Sequence, residues 1–248
     1  MARGTLKWAA FLGCLAAVLG ALAFAVGASA FGPWRWALAA LLGWASLSLA
    51  VTLSLYAVSA FGGAPGPVMS GARWPALQPL VWPFRGVATA LWVLLRRVRG
   101  GGPAVRVTAR LYVGPKPFAG EAAALRAEGI TAICDMTAEL PETARFGVAP
   151  FVRLRVPTLD RAHSNDDELA RAVNWVLARR AEGRGVLVHC AFGRGRSAMV
   201  VAATLLALDE AASVDEAVAM LTRVRPLTRL RTAQLQGLER FLRRTRSR

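Results

Sequence analysis

No aspartate or glutamate occurs in the first 120 residues of this 248-residue chain; all 15 acidic residues lie from Glu121 onward. A soluble domain rarely avoids carboxylates over such a length. A bilayer-embedded segment does so readily, because burying a charge in hydrocarbon is costly. The absence therefore divides the chain into an N-terminal membrane module and a C-terminal globular half. Counting Lys and Arg against the acids gives +11 for residues 1–120 and +5 for residues 121–248. Cysteine and histidine are scarce as well, with three and two copies. Cys14 sits in an apolar run, Cys134 in an expected strand and Cys190 in a motif. No spacing among them suggests a disulfide framework or a zinc site, which suits a reducing compartment. His163 has no partners for a metal and reads as a solvated loop residue. The net charge of +16 is scattered, and no DNA- or RNA-binding motif accompanies it. It points to a lipid bilayer as partner, through positive-inside anchoring and attraction to anionic headgroups, and not to nucleic acid.

Charge is missing altogether from Trp8 to Trp34, and Trp8 to Ala30 alone exceeds the roughly 20 residues that a helical span needs. A second apolar stretch runs from Trp36 to Phe61. Between them, Phe31-Gly32-Pro33-Trp34-Arg35 predicts a tight hairpin turn, with Trp34, Trp36 and Tyr56 as interface anchors. Lys7, the first apolar run and Ala28-Ser29-Ala30 also resemble a secretory signal with its cleavage site, although the run is longer than a usual signal core. Arg3 and Lys7 flank one end and Arg35 alone lies in the connection. Arg73, Arg85, Arg96, Arg97 and Arg99 follow, so the positive-inside rule places the globular half in the cytoplasm of a multi-pass membrane protein. Residues 79–95 are apolar but carry Arg85, Pro79 and Pro83. They predict an interfacial segment with Trp74, Trp82 and Trp92 at headgroup depth, a third crossing being the alternative. Gly100-Gly101-Gly102-Pro103 reads as a flexible linker. The expected organisation is two spans within residues 1–73 (about 8–30 and 36–61), an interfacial segment and linker at 74–103, and a domain at 104–248.

From Ala104 the rhythm changes. Short strands are predicted at 105–107 and 111–113, a helix at 121–128 stopped by Gly129, and strands at 130–134, 151–156 and 186–188. Helices are predicted at 166–180, with Ser164 or Asn165 as cap, and at about 196–208, 214–224 and 232–244. Strands alternating with helices argue for an α/β domain with a central, mostly parallel sheet flanked by helices.

The chemistry lies in His189-Cys190-Ala191-Phe192-Gly193-Arg194-Gly195-Arg196-Ser197. The segment follows a buried strand and opens a helix, the setting in which successive backbone N–H groups form an anion nest reinforced by the helix dipole. Gly193 and Gly195 let the loop curl, Cys190 should ionise near neutral pH, and Arg196 has a planar fork that matches two phosphate oxygens. The stretch resembles the Cys-x5-Arg-Ser/Thr signature of cysteine-based phosphatases, within the dual-specificity branch of the protein tyrosine phosphatase superfamily. Arg110-Leu111-Tyr112-Val113-Gly114 is similar to the opening strand of that family, and Arg225-Pro226 precedes the last helix as it does there. The likeness covers about residues 105 to 245. A Cys loop alone also occurs in rhodanese-like sulfurtransferases; the leading His, both glycines and the trailing Ser make the match specific.

The resemblance implies a phosphocysteine intermediate on Cys190, with no metal and no cofactor. It implies that Asp160, thirty residues upstream in Val156-Pro157-Thr158-Leu159-Asp160, is the general acid and then the base. Ser197 would help the thiolate leave, His189 would support the loop, and residues 191–195 (Ala191, Phe192, Gly193, Arg194, Gly195) would bind the phosphate. Under oxidation a nearby cysteine pairs with the nucleophile in some relatives, and Cys134 is the candidate here, core packing being the usual role of a strand cysteine. Relatives acting on phosphoinositides or phosphatidylglycerophosphate carry a basic residue where Arg194 stands. They usually also have Lys where this chain has Ala191, so a phospholipid and a phosphorylated protein both remain as substrates. A phosphate-binding module without turnover is the non-enzymatic alternative.

Overall fold

The computed structural model describes residues 3–29, 32–60, 63, 65–99, 104–160 and 165–247. The linker at 100–103, Ala30 of the cleavage-like triplet, Phe31, Phe61, and His163 and Ser164 beyond Asp160 lie outside them. Helices α1 (Arg3–Ala28) and α2 (Trp34–Ala60) pack as an antiparallel hairpin. Small residues explain the close approach. Gly13, Gly20 and Gly27 recur every seven residues on α1, and a Cβ on each would lie 3.2 Å from Leu53, 3.2 Å from Ser46 and 3.7 Å from Ala39. The partners step back by seven as α1 steps forward. Ala10–Ala28 and Trp34–Ser59 are each long and apolar enough to cross a membrane, and only 11% of the apolar window of each is buried. A helix in a soluble core would be mostly covered.

A short α3 (Gly66–Ser70) and a 3-10 turn (Pro75–Leu77) lead into α4 (Gln78–Arg99). Pro83 has no N–H for the carbonyl of Pro79, four residues back. Trp44 Nε1 of α2 donates to that carbonyl instead, at 2.8 Å, so the proline is where α2 grips α4. Of the three tryptophans expected at headgroup depth, Trp74 and Trp82 are exposed, but Trp92 is buried against the globular half. Tyr56 is likewise no surface anchor: it is 2% exposed and belongs to a cluster with Leu12, Met69, Val81 and Leu159. Among the described helices only α1 and α2 are long and apolar enough for a span. On α4 the exposed apolar side chains Val87, Leu91, Leu94 and Val98 step by four, three and four, one stripe of the helix, while Trp92 and Arg96 face the other way and are buried.

The globular half is built on five strands: β1 (Val105–Thr108), β2 (Leu111–Pro115), β3 (Ile130–Thr137), β4 (Val152–Thr158) and β5 (Gly185–Cys190). Their order is β1-β2-β5-β3-β4, with β1 antiparallel to β2 and every other pair parallel. The period of two along β5 divides the core. Val186, Val188 and Cys190 face Leu169, Val173, Met199, Leu221 and Leu238, while Leu187 faces Leu125, Ile133, Phe146 and Phe151. The first group comes from α6 (Asp166–Ala181), α7 (Arg196–Ala207), α8 (Val214–Val224) and α9 (Thr232–Arg246); Leu125 comes from α5 (Ala122–Ala127). Strand β4 runs through Pro157, where the sequence suggested an end. As the edge strand it loses no ladder bond to the missing N–H. Asn165 caps α6, its side chain accepting from the Glu168 N–H at 2.7 Å. Because the central strands are parallel, the residues that follow β2, β3, β4 and β5 gather at one edge of the sheet, and the candidate site lies there.

Candidate active site

Cys190 ends β5, and α7 begins at Arg196, so the five residues between must reverse the chain within one tight loop. Gly193 makes this possible. Its φ is 68°, and a Cβ there would collide with the carbonyl of Gly114 on β2. The loop turns its carbonyls outward, and each is held. Ala191 O accepts from Lys116 N–H at 3.3 Å and from Trp92 Nε1 at 3.0 Å. Phe192 O and Gly193 O accept from the Arg225 guanidinium at 2.9 and 2.8 Å. Arg194 O accepts from Arg229 N–H at 2.8 Å, and Gly195 O from Met199 N–H at 2.9 Å. With the carbonyls fixed outward, the amides of Arg194 and Ser197 are turned to the Cys190 sulfur.

Cys190 is 5% exposed. Burial alone would push the thiol up. The Arg196 charge, a hydrogen bond from Ser197 Oγ at 3.4 Å, and the Ser197 and Arg194 amides together outweigh it and hold the thiol below its ordinary value. His189 is buried beside the nucleophile and held down at about 4, by burial first, so it is neutral at physiological pH. Its Nδ1 lies 3.7 Å from Asp135, beyond hydrogen-bond reach. Asp135 is instead paired with Lys116 Nζ at 2.9 Å, a fully buried ion pair under the loop, and accepts from Thr137 N–H and Oγ1 at 2.8 and 2.6 Å.

Arg196 is buried in the same cavity as Cys190, but its fork does not point at an incoming phosphate as the sequence suggested. Nη1 and Nη2 both donate to the Glu139 carboxylate, at 2.8 and 2.7 Å, and Nη1 also donates to Thr158 O at 2.7 Å. Glu139 keeps the guanidinium firmly charged despite its burial. What remains is the side of the fork: Nε is buried with no hydrogen-bond partner among the described residues, and Nη2 lies 3.4 Å from Asp160 Oδ1. An oxyanion would be met side-on by Nε and Nη2. Asp160 itself follows β4 and is exposed, with its carboxylate over Arg196.

The cavity that collects these groups measures about 550 Å³ and is lined by Asp160, Cys190, Ala191, Phe192, Arg194, Gly195, Arg196, Leu227, Arg229, Arg231 and Gln234. Arg194 lies with its guanidinium carbon 5.8 Å from the Phe192 ring centre. Cys190, Arg196, Asp160 and Ser197 are thus brought together, whereas His189 lies behind the loop and does not line the cavity. The Cys134–Cys190 pairing is not made: both are free thiols. Cys134 lies opposite Val188, so Cys190 is two residues further along the neighbouring strand. That offset alone is roughly 6–7 Å, beyond the Cβ separation of about 3.8 Å that a disulfide requires. Glu139, Arg229, Arg231 and Gln234 escaped the sequence reading, which noted Arg225 only as a family landmark and Trp92 only as a headgroup residue. For Glu139 a signal existed, since it follows the carboxyl end of a central parallel strand.

Comparison with known proteins agrees with this geometry. The dual specificity phosphatase catalytic domain family matches residues 111–243. Human dual specificity protein phosphatase 12 is 38% identical over 116 residues, 46% of this chain and 34% of the relative. Human phosphatidylglycerophosphatase and protein-tyrosine phosphatase 1 is 36% identical over 101 residues, 40% of this chain and 48% of the relative. The chain therefore spans a third to a half of the length of these two relatives. A crystal structure of PTPMT1 in complex with PI(5)P superimposes with a TM-score of 0.55 at 26% identity, covering 58% of this chain and 97% of that one.

Proposed function

Because the chain belongs to the dual specificity phosphatase family, we propose that it is a membrane-anchored phosphatase hydrolysing phosphate monoesters through a phosphocysteine intermediate. The observation that carries this reading is the meeting, in one cavity, of an acidified Cys190 sulfur, inward-facing amides and the open side of the Arg196 guanidinium. In the first step the Cys190 thiolate attacks phosphorus, an S–P bond forms and the ester P–O bond breaks. Asp160 gives its proton to the departing oxygen. The Arg196 Nε and Nη2 groups and the loop amides stabilise the charge on the transferring group. In the second step Asp160 takes a proton from water and the water oxygen bonds to phosphorus. The S–P bond breaks, and Ser197 Oγ donates to the sulfur as it leaves as thiolate, completing the cycle.

The anchor follows from the two apolar helices, the loss of acids before Glu121 and the exposed stripe on α4, which lays Val87, Leu91, Leu94 and Val98 against the bilayer surface. The excess of arginine after α2 over the single Arg35 between the helices sets the catalytic half in the cytoplasm. On this reading residues 1–73 are the hairpin, 74–103 the interfacial segment and linker, and 104–248 the catalytic domain. Arg194, Arg229 and Arg231 line the cavity in addition to Arg196. A substrate with a second anionic group near its ester, such as a phosphorylated phospholipid headgroup, meets complementary charge there. A phosphorylated peptide lacks the bilayer as a second attachment. The test is turnover by the full chain in detergent micelles, with p-nitrophenyl phosphate, phosphatidylglycerophosphate, a phosphoinositide and a phosphotyrosine peptide. Turnover by wild type and none by Cys190→Ser is expected, with the lipids ahead of the peptide. An inert wild type would make the protein a phosphate-binding module.

A further inference from the structure

The outward carbonyls of the phosphate loop are all fixed from within the catalytic half, with one exception. Lys116, Arg225, Arg229 and Met199 belong to it, but the shorter of the two bonds to Ala191 O comes from Trp92 on α4, 99 residues away. This bond is not an isolated graze. Trp92 is 8% exposed, its ring lies 4.8 Å from that of Phe118, and it clusters with Leu140, Ala191 and Phe192. One turn on, Arg96 stands over Phe118 and donates to both Glu121 oxygens at 3.0 and 3.2 Å. Helix α3 closes the other side, where a Cβ on Gly66 would run into the carbonyl of Pro157, and Met69 packs with Leu159, the neighbour of Asp160.

We propose that Trp92 is a positioning residue for the phosphate loop, so that the N-terminal module forms part of the active site and is not merely a tether. The proposal rests on the phosphatase reading of the same loop. The Ala191 carbonyl belongs to the peptide directly after the nucleophile. Holding it outward fixes the plane of the Ala191–Phe192 peptide, whose N–H completes the cup. Without the indole N–H only the longer bond from Lys116 remains, and the peptide gains freedom to rotate. The helix that carries Trp92 presents its opposite face to the bilayer surface, so membrane contact and loop geometry are set by one rigid element.

The test uses the full chain in detergent micelles and compares wild type, Trp92→Phe, Trp92→Ala and, as a control at an exposed tryptophan of α4, Trp82→Phe. Trp92→Phe keeps an aromatic ring in the same pocket, with a small loss of packed volume, and deletes the donor. Two quantities are read: the Kd for tungstate by titration calorimetry, and kcat/KM for p-nitrophenyl phosphate against pH. The expected result for Trp92→Phe is a tungstate Kd weakened about tenfold, kcat/KM lowered by a similar factor and an acid limb moved to higher pH, with only a small drop in melting temperature. Trp82→Phe should match wild type in all of these. Trp92→Ala should show the same defects with lost stability. A Trp92→Phe protein with wild-type tungstate affinity and pH profile would overturn the proposal, even if Trp92→Ala unfolds. Tungstate binding by a wild type that turns nothing over would instead overturn the phosphatase reading and leave the positioning test intact.

Discussion

The middle of β3 and the carboxyl end of β5 each carry a cysteine, both buried and both facing the same core, and the two sulfurs are driven in opposite directions. Burial pushes the Cys134 thiol well up, and the neighbouring Asp135 adds to the effect. Its sulfur lies in the apolar core, 3.9 Å from Met136 Sδ. Cys190 suffers the same burial, yet its thiol is brought down, because the strand ends there and the returning loop aims amides, Ser197 Oγ and Arg196 at the sulfur. In mid-strand the backbone N–H groups on either side are committed to neighbouring strands and cannot turn to a side chain. Reactivity in this fold is thus a property of where the strand stops, and not of how deeply the thiol is buried.

The largest expected effect follows directly. Cys190→Ser should abolish turnover of every phosphate ester, while Cys134→Ser should leave kcat/KM within about twofold and cost roughly 1 kcal/mol in stability, the usual size for a conservative core change. Single-turnover assays and denaturant titration read the pair. Alkylation with iodoacetamide at pH 7, followed by peptide mass mapping, should mark Cys190 and spare Cys134. Equal labelling would erase the distinction drawn above.

A sulfur poised at a strand end completes the reaction only if the leaving oxygen is protonated. Asp160→Asn should therefore lower kcat/KM for an alkyl phosphate by about 10²–10⁴-fold. An ester of a good leaving group such as p-nitrophenol should suffer far less. Uniform slowing of both esters would remove Asp160 from the proton transfer. Ser197→Ala comes next in size. It makes Cys190 more like Cys134 by deleting one of the groups that lower its thiol, so the acid limb of kcat/KM should move to higher pH. Release of the thiolate from phosphocysteine should slow about tenfold, as for a lost hydrogen bond to a charged group. Burst kinetics would show the intermediate accumulating.

Much of this device was legible in the sequence, for an identifiable reason. Strand, loop and helix are contiguous from Gly185 to Ala207, so Cys190, Gly193, Arg196 and Ser197 are tied to one another by local geometry, and period and punctuation reveal them. Asp160 and the mostly parallel sheet were legible through the resemblance and the alternation of strands with helices. The contacts that failed to show were those made across long separations. Glu139 meets Arg196 after 57 residues and Trp92 meets Ala191 after 99. The place of Glu139 after a central parallel strand hinted at the site but not at Arg196 as its partner, and nothing in the local pattern around Trp92 distinguishes a buried partner from a headgroup tryptophan. The mid-helix Pro83 is accommodated by another long-range contact the sequence did not reveal, Trp44 taking up the Pro79 carbonyl it leaves free.

The smallest effect concerns stability, and it tests the last neighbour of the strand end. His189 titrates at about 4 in the folded chain, through burial first, against an ordinary value of about 6.5 once unfolded. Between these two values the unfolded chain binds a proton that the folded chain refuses. Stability therefore falls as pH drops through that window, by roughly 3 kcal/mol at most across the whole of it. The expected observation is a melting temperature steady from pH 8 to 7 and declining from pH 6.5 toward 4. His189→Asn should flatten that decline, while the loss belonging to Asp135, whose carboxyl is held low by His189 and Lys116 against its burial, persists at more acid pH. If the variant declines as steeply as wild type between pH 6.5 and 4, the imidazole is not the group whose desolvation the fold sustains. Its place behind Cys190 would then have to be explained by shape alone.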